Sequence, residues 1–200
     1  NGTSWSQLGQ DIDGEATEDY SGTSVSLSSD GNTVAIGAKH NDGNGGSSGH
    51  VRLYNFDGSN WNQLGQDIDG EAANDQSGYS VSLSSDGNTV AIGAKSNDGN
   101  GTHSGHVRIY NWNGSSWNQL GQDIDGEAAG DQSGHSVSIS SDGNTVAIGA
   151  PAGGLTYAGF TRVYQNINNV WGPFDNRLIN SYLTKDSILV AIFRSDNRRR

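Results

Sequence analysis

The 200-residue chain has no cysteine, no methionine and only two prolines. Without cysteine there is no disulfide framework and no thiolate-bound metal. No apolar run reaches the length of about 18 residues that a membrane-spanning helix needs, so no membrane span is expected. With no methionine even at position 1 and no recognisable signal segment, the sequence reads as an excerpt or a processed product. Cations are scarce as well. Residues 1–171 hold 5 Lys/Arg against 19 Asp/Glu, whereas residues 172–200 hold 6 against 3. So acidic a body lacks the basic footprint that nucleic-acid binding requires. It suits solubility, cations or basic partners instead. Hydrophobic residues make up 32%, low for a helical bundle, and Gly is abundant at 30. Gly with Asn, Asp and Ser fills tight turns, so the composition points to an all-β chain.

The stretch SVSLSSDGNTVAIGA occupies Ser24–Ala38, recurs unchanged at Ser80–Ala94, and returns at Ser136–Ala150 with one Leu→Ile change. Trp5, Trp61 and Trp117 keep the same 56-residue spacing, as do the GQDIDG blocks beginning at Gly9, Gly65 and Gly121. GHVRLYN at Gly49 becomes GHVRIYN at Gly105 and GFTRVYQ at Gly159. A period of this size belongs to solenoids, propellers or domain arrays. Val25 and Leu27, then Val34 and Ile36, alternate with small residues around Asp30-Gly31, which reads as a hairpin with a tight turn. A loop at Lys39–Gly49 follows. Val51 and Leu53 then begin a second hairpin that turns at Asp57-Gly58 and returns through Trp61 and Leu64. No segment carries a helical period. Four antiparallel strands in roughly 40–60 residues is the size of a propeller blade. The fold expected is therefore all-β: four-stranded propeller blades with a 56-residue repeat, stacked face to face in a partial or incomplete ring. Residues 1–171 form the repeats, as three clear units plus part of a fourth whose remnants are FTRVYQNINNVW and SILVAIF. Residues 172–200 form a divergent basic tail or degenerate blade.

SGYSVSLSSDGNTVAIGAK at Ser77–Lys95, with the GHVRLY strand and the GEA…SG link, resembles the FG-GAP repeat of integrin α chains and of many surface proteins. The opening Phe-Gly is replaced here by Ser-Gly at Ser21, Ser77 and Ser133. The closing triplet is Gly-Ala-Lys twice and an intact Gly149-Ala150-Pro151 once. The resemblance covers residues 5–171 and implies an extracellular or cell-surface propeller. Many such repeats carry a calcium loop between the first two strands. Here that place holds only SSDGN, and Ser29, Asp30 and Asn32 cannot supply the six to eight oxygens calcium takes.

The densest acidic stretch is DIDGEAANDQSG. Its Asp67, Asp69, Glu71 and Asp75 are the calcium candidates by alternate spacing, matched by Asp11, Asp13, Glu15 and Asp19 and by Asp123, Asp125, Glu127 and Asp131. The stretch lacks the Gly and Glu of an EF-hand loop, and the competing reading is an acidic blade-to-blade link whose carboxylates cap turn amides. His50 and His106 hold equivalent positions taken by Phe160 in the third unit, which marks them as packing residues. No unique catalytic cluster stands out. The carboxylate pairs recur in every unit, whereas one reaction needs one geometry, and no Gly-x-Ser-x-Gly elbow sits between a strand and a helix. The expectation is a non-catalytic segment, with no cofactor, acting in adhesion or protein recognition. Its partner would meet the divergent loops Lys39–Gly49, Lys95–Gly105 and Pro151–Gly159. The alternatives are a glycan-binding propeller, with Phe56 and Trp112 as equivalent aromatic platforms beside a turn, and a structural spacer. Further blades from a longer parent chain are expected to complete the ring.

Overall fold

The computed structural model describes residues 4–154 and 157–173. Its described elements are strands, without a helix. The first sheet runs in the order β1 (Ser21–Leu27), β2 (Thr33–Ala38), β3 (His50–Phe56), β4 (Trp61–Gln63), with β5 (Ile68–Asp69) also pairing with β3. The second repeats it with β6 (Ser80–Leu83), β7 (Thr89–Ala94), β8 (His106–Trp112), β9 (Trp117–Gln119) and β10 (Ile124–Asp125). The third consists of β11 (Ser136–Ile139), β12 (Thr145–Ala150), β13 (Phe160–Ile167) and β14 (Val170–Pro173). Every pairing between these strands is antiparallel. These are three blades of a β-propeller, and they do not close a ring.

Two details differ from the sequence reading. The fourth strand is split. β4 pairs with the C-terminal part of β3, while β5 pairs with its first two residues. Between them the chain turns at Gly65, whose φ of 79° an L side chain rarely adopts. The stretch FTRVYQNINNVW also belongs to the third blade rather than to a fourth, because Tyr164 pairs with Val146 and Trp171 with Asn166. SILVAIF lies outside the described residues, as does the tail beyond Pro173.

The core lies in the seams between blades. Ala35, Val51, Leu53 and Ile68 of the first blade meet Val81, Leu83, Val90, Ile92 and Trp117 of the second. Ala91, Val107, Ile109 and Ile124 of the second meet Ile139, Val146, Ile148 and Trp171 of the third. Val90 and Ile92 thus face one seam and Ala91 the other, as strand alternation requires. β6 packs against both β1 and β11, which makes these three the innermost strands. Their serines are not merely small. Ser24 Oγ donates to Gly78 O at 2.8 Å and Ser80 Oγ to Gly134 O at 2.7 Å. Ser26 Oγ accepts from Leu83 N, and Ser82 Oγ from Ile139 N, both at 3.0 Å. The serines therefore satisfy backbone groups that the inner strands leave unpaired. The tryptophans tie the seams farther out. Trp61, Trp117 and Trp171 donate their indole N–H to Leu8 O, Leu64 O and Leu120 O at 2.9, 2.8 and 2.7 Å. Leu8 stands to the first blade as Leu64 does to the second.

Candidate functional site

The divergent loops extend from the blade end where the second strand stops and the third begins. They are internally bonded. In the first loop Asn41 Oδ1 accepts from Gly43 N at 2.8 Å, and Asp42 Oδ1 from Ser47 N at 2.7 Å. Asn44 Nδ2 donates to Gly70 O and Glu71 O of the link that leaves the blade. The buried Asn41 amide donates to Asp19 Oδ2 at 2.9 Å. The second loop repeats these contacts through Asn97, Asp98 and Asn100. These oxygens hold the loop in shape, so it presents a fixed surface.

At the base of the loops a cationic and aromatic ledge crosses the seams. Lys39 Nζ lies 5.7 Å from the centre of the Tyr20 ring and 5.5 Å from that of Tyr79 in the next blade. Lys95 Nζ lies 4.7 Å above the same Tyr79 ring. Tyr79 packs on His135 with ring centroids 5.0 Å apart, and its hydroxyl is 3.4 Å from His135 Nε2. Among the described residues the cations are two lysines and three arginines. Arg52, Arg108 and Arg162 pair with Glu15, Glu71 and Glu127. Lys39 and Lys95 pair with no carboxylate among the described residues. Burial, with a smaller push from Lys39, holds the Lys95 ammonium below its ordinary range. A charge so placed gains from an incoming anion. His135 also opens a cavity of about 370 Å³ whose lining includes Ala150, Pro151, Gly159 and Phe160.

The four calcium candidates do not converge. Asp67 accepts from Gln63 Nε2 at 2.6 Å and faces His50. The backbone carbonyl of Asp69 accepts from Arg108 Nη2 at 2.6 Å. Glu71 sits beside Arg108 and His106 across the seam. Asp75 is buried and caps Ala72 N at 3.1 Å while accepting from Asn97 at 3.0 Å. The structure instead gathers two other groups, Glu15–His50–Asp67 and Glu71–His106–Asp123, each with its ligand atoms within 4.8 Å of one another. Sequence reasoning set these histidines aside as packing residues. They are indeed buried, but each also turns Nδ1 toward two carboxylates. The signal was present in the common period of positions 15, 50 and 67. It was hidden because the three lie far apart along the chain. Desolvation holds His106 down to about 4, so its ring is uncharged at neutral pH. Phe56 and Trp112 lie at the opposite blade end from the loops. Both are half-buried and packed at a tilt against Trp61 and Trp117, with centroids 5.1 and 5.4 Å apart and interplanar angles of 48° and 47°.

The fold and ledge define a segment of a propeller with a fixed loop end. The FG-GAP repeat family model matches residues 12–54 and 68–110, in the first two units. No curated protein matches it. Similar solved structures include the hydrazine synthase of Kuenenia stuttgartiensis, at 12% identity and a TM-score of 0.49 over 82% of this chain and 38% of that one. Another is the periplasmic gluconolactonase of Pseudomonas aeruginosa, at 17% identity and a TM-score of 0.48 over 77% of this chain and 45% of that one. The chain spans less than half the length of either.

Proposed function

We propose that the chain is a non-catalytic recognition segment of an extracellular or cell-surface propeller, and that a protein ligand places a carboxylate on the Lys39–Tyr79–Lys95–His135 ledge. The FG-GAP repeats support protein recognition as the general role. One observation carries the finer reading: two lysines that pair with no carboxylate among the described residues converge on one tyrosine at a seam of an otherwise acidic body. The tyrosine faces hold the ammonium groups in place. The surrounding acidity repels a broadly anionic surface over distances up to the Debye length of about 8 Å. The fitting ligand is therefore a protein loop with one Asp or Glu beside apolar residues, not an acidic tract. Phe56 and Trp112, half-buried against a tryptophan and away from the loops, favour no sugar platform.

Selection of displayed loop peptides against the purified chain tests this. Enrichment of single-carboxylate sequences is expected. The Lys39→Gln, Lys95→Gln double variant should weaken the binders about tenfold or more, since a hydrogen bond to a charged partner contributes about 1.5–3 kcal/mol. Binders indifferent to that double substitution, or binding of glycans with no peptide enriched, would overturn the reading.

A further inference from the structure

The Glu15–His50–Asp67 and Glu71–His106–Asp123 groups are not ordinary surface acid clusters. His50 and His106 are 1% and 2% exposed. His106 Nδ1 stands 3.8 Å from Glu71 Oε2 and 3.9 Å from Asp123 Oδ2. Its counterpart in the first blade stands 3.9 Å from Glu15 Oε2 and 3.5 Å from Asp67 Oδ2. These gaps exceed the range of a formed hydrogen bond, about 2.7–3.2 Å. A buried ring nitrogen is thus aimed at two carboxylate oxygens without bonding either. In the same pocket Arg108 Nε is buried without a partner, so the polar groups there do not satisfy one another.

The third blade supplies a comparison within the chain. There Phe160 replaces the histidine, and Glu127 closes on Arg162 at 2.6 Å while that guanidinium lies 4.2 Å over the Phe160 ring. In the two histidine-bearing blades the equivalent Glu–Arg distance is 3.4 Å. Where the imidazole is present, the glutamate is held off its arginine with its second oxygen toward the ring.

We infer that each of these two groups binds one divalent transition-metal ion of the zinc type, through the imidazole Nδ1, the glutamate Oε2 and the aspartate Oδ2. Zinc takes nitrogen and carboxylate oxygen at about 2.0–2.2 Å, which sets tetrahedral ligands about 3.3–3.5 Å apart. The imidazole–carboxylate separations need shifts of roughly half an ångström or less to reach that spacing, and all three ligand atoms of each group already lie within 4.8 Å of one another. Imidazole favours such ions over calcium, which takes oxygen ligands. Arg52 and Arg108 hold the other glutamate oxygen and so orient the ligand. A water completes the fourth position from the half-exposed glutamate side. The second ion joins a residue of the link leaving the first blade to two residues of the second, so it clamps a seam.

The test is calorimetric titration of the EDTA-treated full chain with zinc, together with cobalt absorption and melting curves. Two equivalents per chain, a four-coordinate cobalt band and a raised melting temperature are expected. The His106→Phe variant should take one equivalent, and the His50→Phe, His106→Phe double variant none. Phe160 already occupies this position in the third blade, so the metal-free fold is expected to survive. Glu71→Gln, which keeps size and shape, should weaken one site about tenfold or more. Absence of zinc binding at millimolar concentration would overturn the inference. So would two full-affinity equivalents in either the histidine variants or Glu71→Gln; if a histidine variant fails to fold, Glu71→Gln decides.

Discussion

Gly93 sits where two blades approach closely, as Gly37 does at the preceding seam. A Cβ at this position would lie 2.1 Å from the Gly134 carbonyl oxygen and 2.4 Å from Ser80 Oγ, and the carbonyl is backbone that cannot swing aside. Gly46, on the first loop, has open space around the same atom. Gly93→Ala should therefore cost about 1–3 kcal/mol by overpacking, whereas Gly46→Ala should stay within about 0.5 kcal/mol. Urea unfolding of the two variants, monitored by tryptophan fluorescence, separates them. The sequence marked both positions only as glycine. Gly93 could be placed at the end of a strand by the alternation before it, but the carbonyl it must admit comes from 41 residues later. Likewise the alternating serines were legible as small residues near an axis, and their role as donors and acceptors to the neighbouring blade was not.

At the scale of the element, the first hairpin of each blade turns on one aspartate. Asp86 accepts from Ser84 Oγ at 2.6 Å, from Asn88 N at 3.0 Å and from Asn88 Nδ2 at 3.1 Å. Asp30 does the same in the first blade. Hydrogen bonds, that of Ser84 foremost, hold the Asp86 carboxyl below its ordinary value of 3.8. The unfolded chain thus takes up this proton at higher pH than the folded one. The stabilisation is fully present above about 3.8 and is lost as pH falls through the folded value. Asp86→Asn keeps much of the turn geometry without the charge, so its urea midpoint should fall less between pH 5 and about pH 3 than that of the parent chain. An equal fall in both would show that this turn has no part in acid sensitivity. The hairpin itself was readable from Asp-Gly between alternating strands. The split of the fourth strand was not, because Gly65 gives no sign in sequence of whether it ends a strand or bends one.

The whole molecule makes identical residues unequal. Val25 and Val81 occupy the same place in the same fifteen-residue stretch, yet they are 64% and 9% exposed. Leu27 and Leu83 differ in the same sense. The second blade's inner strand is covered by the first blade, and among the described residues no further blade covers the first blade's. Val81→Ala should cost about 1.6 kcal/mol, at about 0.8 kcal/mol for each methylene-sized group removed from the core, and Val25→Ala less than about 0.5 kcal/mol. Thermal melts of the pair give the comparison; equal losses would mean that the outer face of the first blade is covered in solution. A repeat in sequence gives the architecture of each copy but not its neighbours. Which copy is buried, and which glutamate meets which histidine, depends on the stacking of blades whose partners lie tens of residues apart in sequence.

The seams themselves are interchangeable. The hydroxyl that reaches from Ser24 to Gly78 is the one that reaches from Ser80 to Gly134, and the indole of Trp117 finds in Leu64 what that of Trp171 finds in Leu120. A duplicated or deleted block of 56 residues would find its contacts already cut to fit. The length of such a protein can then grow or shrink by whole turns of the gene, with no side chain needing to change.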